Sequence, residues 1–319
     1  MTTVRQRRVA VIGGGANDEH DVSLASAAAV ARASRVLGDE VCELTIDRGG
    51  QWRRAGGSLT PADAVALLDG SDVAFPALHG VNGEDGAVAG LLTMLGVPFA
   101  GSPVRAGALA MDKWAMKLVA GALGVATAPG ILIEPGDAVS SVPLAAPFVV
   151  KPTSGGSSNG VSLVSDAEDL AVAIERARCA GSSVLVEPFI TGREVDIAVF
   201  RGRSGALRVG EPLEIAVAER AVFDQVAKYD GSAPFVIPAR VTSDEWEALE
   251  HDAVRLYDAL GCAGVARFDF FVTGRGVVLN EVNTTPGMTE HSQVPRMFDA
   301  VGLGYTSLID QLLDAALAR

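Results

Sequence analysis

Short apolar runs separated by helix-length stretches govern the first hundred residues. Residues 8–12 are apolar and β-branched, Gly13–Gly15 turn the chain, and an alanine-rich helical pattern follows from residue 21 to 37. Further apolar runs occupy 41–46, 73–78 and 97–100, with helical patterns at 62–68 and 86–95 between them. A parallel strand needs a long crossover to reach its neighbour, so this alternation predicts an α/β unit with a doubly wound parallel sheet.

The pattern then changes. One helical stretch over 104–123 leads through Ala128 and Pro129 to an apolar run at 131–133. Strands are predicted at 148–151, 161–164 and 184–187, with a small-residue loop at 153–160 and a helix over 167–179, which together make a small α+β region. A third region supplies strands at 193–201, 207–215, 264–272 and 277–282, a helix over 243–260 and a last helix after Gly302. The expected division is 1–103, 104–190 and 191–319.

Composition narrows the function classes. With 319 residues, 49% apolar and 20% charged, the chain can bury a substantial core and is not intrinsically disordered. Its net charge of −13 opposes a polyanion, so nucleic acid is not an expected partner. Cys42, Cys179 and Cys262 stand far apart without a CxxC spacing, which fits a reducing cytoplasm better than a zinc site or a disulfide framework. Arg5, Arg7 and Arg8 precede an apolar run that Gly13 ends too early for an export signal. No stretch reaches the roughly 18 apolar residues of a membrane helix, so no membrane partner is expected. Only four of the 26 basic residues are lysines, namely Lys113, Lys117, Lys151 and Lys228, and their scarcity marks them as places to look.

Three motifs carry chemistry. Gly13–Gly15 cannot open a dinucleotide GxGxxG loop, because Asp18 stands where the third glycine belongs. With Asp18, Glu19 and Asp21 the turn is acidic and suits an ammonium group. Helix capping accounts for Asp21 and Ser23, which leaves Glu19 as the candidate ligand. Gly156–Gly160 satisfies GxSxG, yet a nucleophile elbow joins strand to helix whereas two strands flank this loop. It reads instead as a hairpin loop after Lys151 whose N–H groups and hydroxyls can close over phosphates, or as a plain exposed tip. Third, Arg267 and Asp269 share one face of a strand, as do Glu281 and Asn283 on the next. Facing strands would gather three hard oxygen donors beside an arginine, a set suited to Mg²⁺ bridging phosphates. Four polar residues in such apolar strands would be costly to bury without a role.

The blocks Glu19–Ser23, Ala77–Gly80 with Gly83–Gly86, Met111–Lys113, Lys151–Pro152 with Gly156–Ser158, Ala227–Tyr229, Arg267–Asp269 and Glu281–Ser292 occur in one order along the chain. In that order they make the sequence similar to the D-alanine:D-alanine ligases of the ATP-grasp superfamily, from Val9 to the C-terminal helix. The resemblance implies a three-domain architecture: an N-terminal substrate domain, a small central domain and a C-terminal catalytic domain, with ATP between the last two. It implies that Lys113, Lys151, Ser157, Ser158 and Lys228 contact ATP, with Glu187 and Ile190 at the adenine and Glu194 at the ribose. Asp269, Glu281 and Asn283 would hold Mg²⁺ or Mn²⁺, two ions per site. Glu19 would pair with the ammonium of the first D-alanine, His79 would lie near its carboxylate, and Ser292 would hold the carboxylate of the second. Arg267 and the backbone of Gly287 would stabilise the tetrahedral intermediate, while Ser157 and Tyr229 would close on Glu19.

The implied reaction joins two D-alanines through an acyl phosphate and releases ADP and phosphate for peptidoglycan precursor synthesis. A relative making another D-amino-acid dipeptide or a depsipeptide is the alternative. A cytoplasmic homodimer is implied as well. Four positions depart from the family pattern: Gln225 and Val226 before Ala227, Pro188 after Glu187, and Gln293 at a usually apolar position beside the second subsite.

Overall fold

A computed structural model describes residues 6–319 apart from 138, 140, 182 and 217–234. Its strands form three sheets. The first holds β1 (Arg8–Gly14), β2 (Glu40–Ile46), β3 (Trp52–Arg54), β4 (Gly57–Ser58) and β5 (Val73–Pro76) in the order β4-β3-β2-β1-β5. β1 runs parallel to both β2 and β5, and helices α1 (His20–Val36), α2 (Pro61–Asp69) and α3 (Ala87–Met94) supply the crossovers. Val9–Ile12 are at most 1% exposed, as a central parallel strand covered on both faces must be.

Three N-terminal features differ from expectation. The run at 97–100 contributes only an isolated bridge between Ala74 and Phe99, and an unforeseen antiparallel hairpin, β3–β4, extends the sheet edge. Asp21 and Ser23 do not cap α1, which begins at His20 with Glu19 at the N-cap position. Ser23 is instead buried, accepting from the Gly14 N–H at 2.9 Å and donating to the Ala77 carbonyl at 2.6 Å, so it ties the ends of β1 and β5 together. Gly14 sits at φ +92°, where a Cβ would lie 2.1 Å from the Ile46 carbonyl oxygen, so this strand-to-helix turn admits only glycine.

The helix expected over 104–123 is two helices, α4 (Val104–Met111) and α5 (Lys113–Ala122). Asp112 breaks them with extended backbone, and its carboxylate accepts from the N–H groups of Trp114 and Ala115 as the cap of α5. The break turns Lys113 toward the 153–160 loop, where its N–H donates to the Thr153 carbonyl at 2.8 Å.

The second sheet, ordered β6-β9-β7-β8, comprises β6 (Ile131–Ile133), β7 (Phe148–Pro152), β8 (Ser162–Val164) and β9 (Val184–Pro188). Helix α6 (Leu170–Ala180) covers it with Leu170, Ala173, Ile174 and Ala177.

The third sheet, ordered β13-β12-β10-β14-β15 with β11 beside β10, comprises β10 (Arg193–Arg201), β11 (Leu207–Val209), β12 (Leu213–Ile215), β13 (Phe235–Val236), β14 (Val265–Thr273) and β15 (Gly276–Asn283). The single strand expected over 207–215 is therefore split. β11 pairs with the end of β10 and β12 with its start, while the Glu211 N–H turns away to the Met297 carbonyl at 3.0 Å and Pro212 offers no donor. Helix α7 (Ser243–Leu260), capped by a Thr242–Glu245 box, packs on this sheet together with α4 and α5, so Ala106, Met116 and Leu256 share a core with Ile197 and Phe268.

The last helices, α8 (Gln293–Ala300) and α9 (Tyr305–Leu317), return to the first sheet, where Phe298, Leu308 and Leu312 pack with Val9 and Val30. Arg7 fastens that contact through Asp39, Asp310 and Asp314. Among the described residues no helix is long and apolar enough to cross a membrane.

Candidate active site

Two cavities meet between the sheets. The larger, about 920 Å³, lies between the second and third sheets and is lined by Lys113, Lys117, Lys151, Glu187, Ile190 and Glu194. The smaller, about 490 Å³, is lined by Glu19, His79, Arg267, Asp269, Gly287 and Ser292. Lys113, the loop residues Gly155–Ser157, and Glu281 border both. Each described residue expected at the nucleotide lines the larger cavity, Ser158 included, and each described residue expected at the amino acids lines the smaller. Lys228 and Tyr229, like Gln225 and Val226, lie outside the described residues.

Neighbouring strands build the larger cavity's charge cluster. β7 carries Lys151 and β9 carries Glu187, and their pairing brings the Lys151 Nζ to 2.6 Å from the Glu187 carboxylate. Lys117, from α5, contacts the other oxygen of the same carboxylate and donates to the Ala128 carbonyl at 2.9 Å. Burial alone would raise the Glu187 carboxyl, but Lys151 and Lys117 together hold it below the usual range. Burial also depresses the Lys117 ammonium. The scarcity of lysine was the one signal for Lys117, and no spacing rule placed it in the site.

The 153–160 loop joins the antiparallel strands β7 and β8, so GxSxG is here the loop of a hairpin and no nucleophile elbow. Ser157 and Ser158 hold φ of +52° and +56°, a conformation uncommon outside glycine and typical of loops shaped around a ligand. The loop reaches across to the first sheet's acidic turn. Ser157 donates to Glu19 at 2.6 Å and Asn159 donates to Asp18 at 3.0 Å. Gly156 permits that approach, since a Cβ there would lie 2.7 Å from Glu19 Oε2. Behind it, Lys113 donates to the Gly155 carbonyl at 3.0 Å and stands 3.9 Å from Glu281.

His79 lies 2.7 Å from the Thr285 carbonyl through Nδ1. A carbonyl only accepts, so Nδ1 carries the proton and Nε2 faces the Ser26 hydroxyl at 3.3 Å. Burial lowers its pKa, which favours the neutral imidazole. Beside it Glu84 accepts from the N–H groups of Gly80 and Thr285, and burial, reinforced by Glu19, pushes its carboxyl up to about 8. In the sequence Glu84 stands inside the Gly83–Gly86 block, and no spacing marks it as a site residue.

Pairing of β14 with β15 sets Arg267 opposite Asn283 and Asp269 opposite Glu281, on the shared face that strand alternation predicts. Arg267 grips Asp269 with Nε and Nη2, both at 2.7 Å, and the Asn283 amide donates to Asp269 at 2.9 Å. Asn283 thereby keeps its amide oxygen for another partner. Among the described residues no three His, Cys, Asp or Glu side chains cluster as a metal cage. Two carboxylates and an amide oxygen still fit a hard divalent cation that leaves positions open for phosphate oxygens. Ser292 stands at the N-cap position of α8, its hydroxyl 3.1 Å from the Thr289 N–H.

Two β-sheets enclosing a cleft lined by Lys113, Lys117 and Lys151 together with Glu187 and Glu281 match the arrangement of the ATP-grasp class of ligases. The family described as D-ala D-ala ligase C-terminus matches residues 136–314, and its N-terminal counterpart matches 55–102. The D-alanine–D-alanine ligase of Rhodococcus opacus (strain B4) is 39% identical over 98% of this chain and 97% of its own. The D-alanine-D-alanine ligase structure from Coxiella burnetii superposes with a TM-score of 0.82 at 26% identity, covering 98% of this chain and 94% of that one. The VanG D-Ala:D-Ser ligase from Enterococcus faecalis gives 0.81 at 29%, covering 98% and 100%. The chain belongs to the D-alanine–D-alanine ligase family.

Proposed function

We propose that this protein joins two D-alanines into D-alanyl-D-alanine, with ATP converted to ADP and phosphate, in peptidoglycan precursor synthesis. The observation that carries the reading is the junction of the two cavities at Lys113, Gly155–Ser157 and Glu281. A nucleotide in the larger cavity would present its terminal phosphate at that junction to a carboxylate in the smaller.

A carboxylate is a poor electrophile. Transfer of the γ-phosphate to the first D-alanine gives an acyl phosphate with a good leaving group, which the second amine attacks. Lys113, Lys151, Ser157, Ser158 and Lys228 bind the phosphates, Glu187 and Ile190 the adenine, and Glu194 the ribose. Asp269, Glu281 and Asn283 hold Mg²⁺ or Mn²⁺, which neutralises phosphate charge when bound. Glu19 takes the first ammonium, neutral His79 lies by that substrate's carboxylate, and Ser292 takes the second carboxylate at the α8 N-terminus. N–H donors of Arg267 and Gly287 meet the oxyanion of the tetrahedral intermediate. The 153–160 loop excludes water that would hydrolyse the acyl phosphate, a task assigned also to Tyr229.

The division at 103 and 190 into substrate, central and catalytic domains belongs to the same reading, as do a homodimer and a cytoplasmic location. An ADP-release assay across D-alanine, D-serine, D-lactate and L-alanine tests it. D-alanine alone should support turnover with ADP and phosphate as products, and formation of AMP and pyrophosphate would overturn the acyl-phosphate route.

A further inference from the structure

Two carboxylates compete for Arg267. Asp196 on β10 stands directly opposite Asp269 on β14, is only 1% exposed, and lies 3.6 Å from the Arg267 Nε. Like charges at paired positions of adjacent strands repel, so both draw on the Arg267 guanidinium beside them. Arg267 nevertheless faces Asp269 with a two-point grip and leaves Asp196 at the longer distance.

Gln293, the first residue of α8, stands between them. Its Oε1 accepts from the Arg267 Nη1 at 2.5 Å, and its Nε2 donates to Asp196 Oδ2 at 2.9 Å. An amide is the one neutral side-chain group of this length that can accept from the arginine and donate to the aspartate at once. Among the described residues Asp269 takes two of the guanidinium's five N–H groups and Gln293 one, which leaves one on each Nη for an oxygen in the smaller cavity that all four residues line.

We propose that Gln293 is a positioning residue for Arg267: by occupying Asp196 and bracing Nη1, it keeps the guanidinium on Asp269 with the remaining N–H pair presented to the substrate cavity. The inference rests on the proposed role of Arg267 toward the oxyanion. It assigns work to Gln293, the departure from the family pattern that lines the smaller cavity among the described residues.

The test uses the full-length enzyme with Gln293→Met, which keeps length and apolar volume but neither hydrogen bond. We expect kcat to fall about ten-fold with KM for ATP and D-alanine within about two-fold, since a small misplacement of a positioning group acts on the transition state. Affinity for a tetrahedral phosphinate analogue of D-alanyl-D-alanine should weaken about ten-fold in parallel, while the thermal midpoint stays near that of the parent. In an Asp196→Asn background the competing charge is gone, and Gln293→Met should then cost less than about three-fold. Unchanged kcat and analogue affinity, or a full ten-fold loss that persists with Asn at 196, would overturn the inference. Arg267→Lys separates the two levels. If it loses activity while Gln293→Met does not, only the positioning role fails; if it turns over like the parent, the oxyanion role fails and the inference with it.

Discussion

Glu187 sits between two lysines, and the asymmetry of that cluster predicts which substitution hurts more. Glu187→Gln leaves the ammonium groups of Lys117 and Lys151 facing an uncharged amide in a pocket where all three side chains are at most 8% exposed. Removing one partner from a buried ion cluster in this way costs about 3–5 kcal/mol. Lys117→Met, by contrast, leaves Lys151 and Glu187 as a balanced pair. It loses a charge-assisted bond worth about 1.5–3 kcal/mol, offset by relief of the burial that already depresses the Lys117 ammonium, so a net cost near 1 kcal/mol is expected. Urea unfolding of the nucleotide-free protein followed by circular dichroism measures both. The sign of the pH dependence also follows. The folded Glu187 carboxyl titrates below its ordinary 4.5, so its stabilisation is present above that pH and is lost as pH falls through the depressed value. The gap between parent and Glu187→Gln should hold from pH 8 to pH 5 and close in stronger acid. If Lys117→Met destabilised as much as Glu187→Gln, the charge-balance reasoning would be wrong.

Glu281→Gln should nearly abolish turnover at millimolar Mg²⁺ while adenosine binding, measured by calorimetry, survives, because a carboxylate is lost from the set proposed to hold the metal. Gly156→Ala would set a Cβ 2.7 Å from Glu19 Oε2. Displacing that carboxylate should raise the KM for D-alanine by about ten-fold with ATP affinity unchanged, and an unaltered KM would remove Glu19 from the first subsite. At pH 7 the enzyme should make D-alanyl-D-alanine and essentially no D-alanyl-D-lactate, with Tyr229→Phe weakening dipeptide synthesis. Mass spectrometry of the products decides, and efficient depsipeptide formation would reassign the second substrate.

Local periodicity was enough to establish much of this protein. Strand alternation is a property of the backbone itself, so Arg267 with Asp269 and Glu281 with Asn283 could be assigned to faces from spacing alone, and β14 and β15 pair those faces as expected. The loop after Lys151 could be read as a hairpin because two strand patterns flank it. The motif blocks, in their order, carried the family and with it the candidate site. What spacing does not encode is which distant surfaces meet. A helical pattern over 104–123 contains no proline or glycine pair to announce a break, and only the docking of Lys113 against Thr153 turns Asp112 from a helix residue into a cap. Lys117 becomes a partner of Glu187 across 70 positions, and Glu84 of Thr285 across 201. Gln293 finds Asp196 97 residues upstream, where pairing of β10 with β14 has set two carboxylates side by side. Packing of α8 and α9 onto the first sheet sets Ser292 and Gln293 in the wall of the smaller cavity. Side-chain identity fixed the donors and acceptors available, but burial and long-range packing decided which of them share one guanidinium, because that sharing exists only once two strands and a helix N-terminus occupy the same few ångströms.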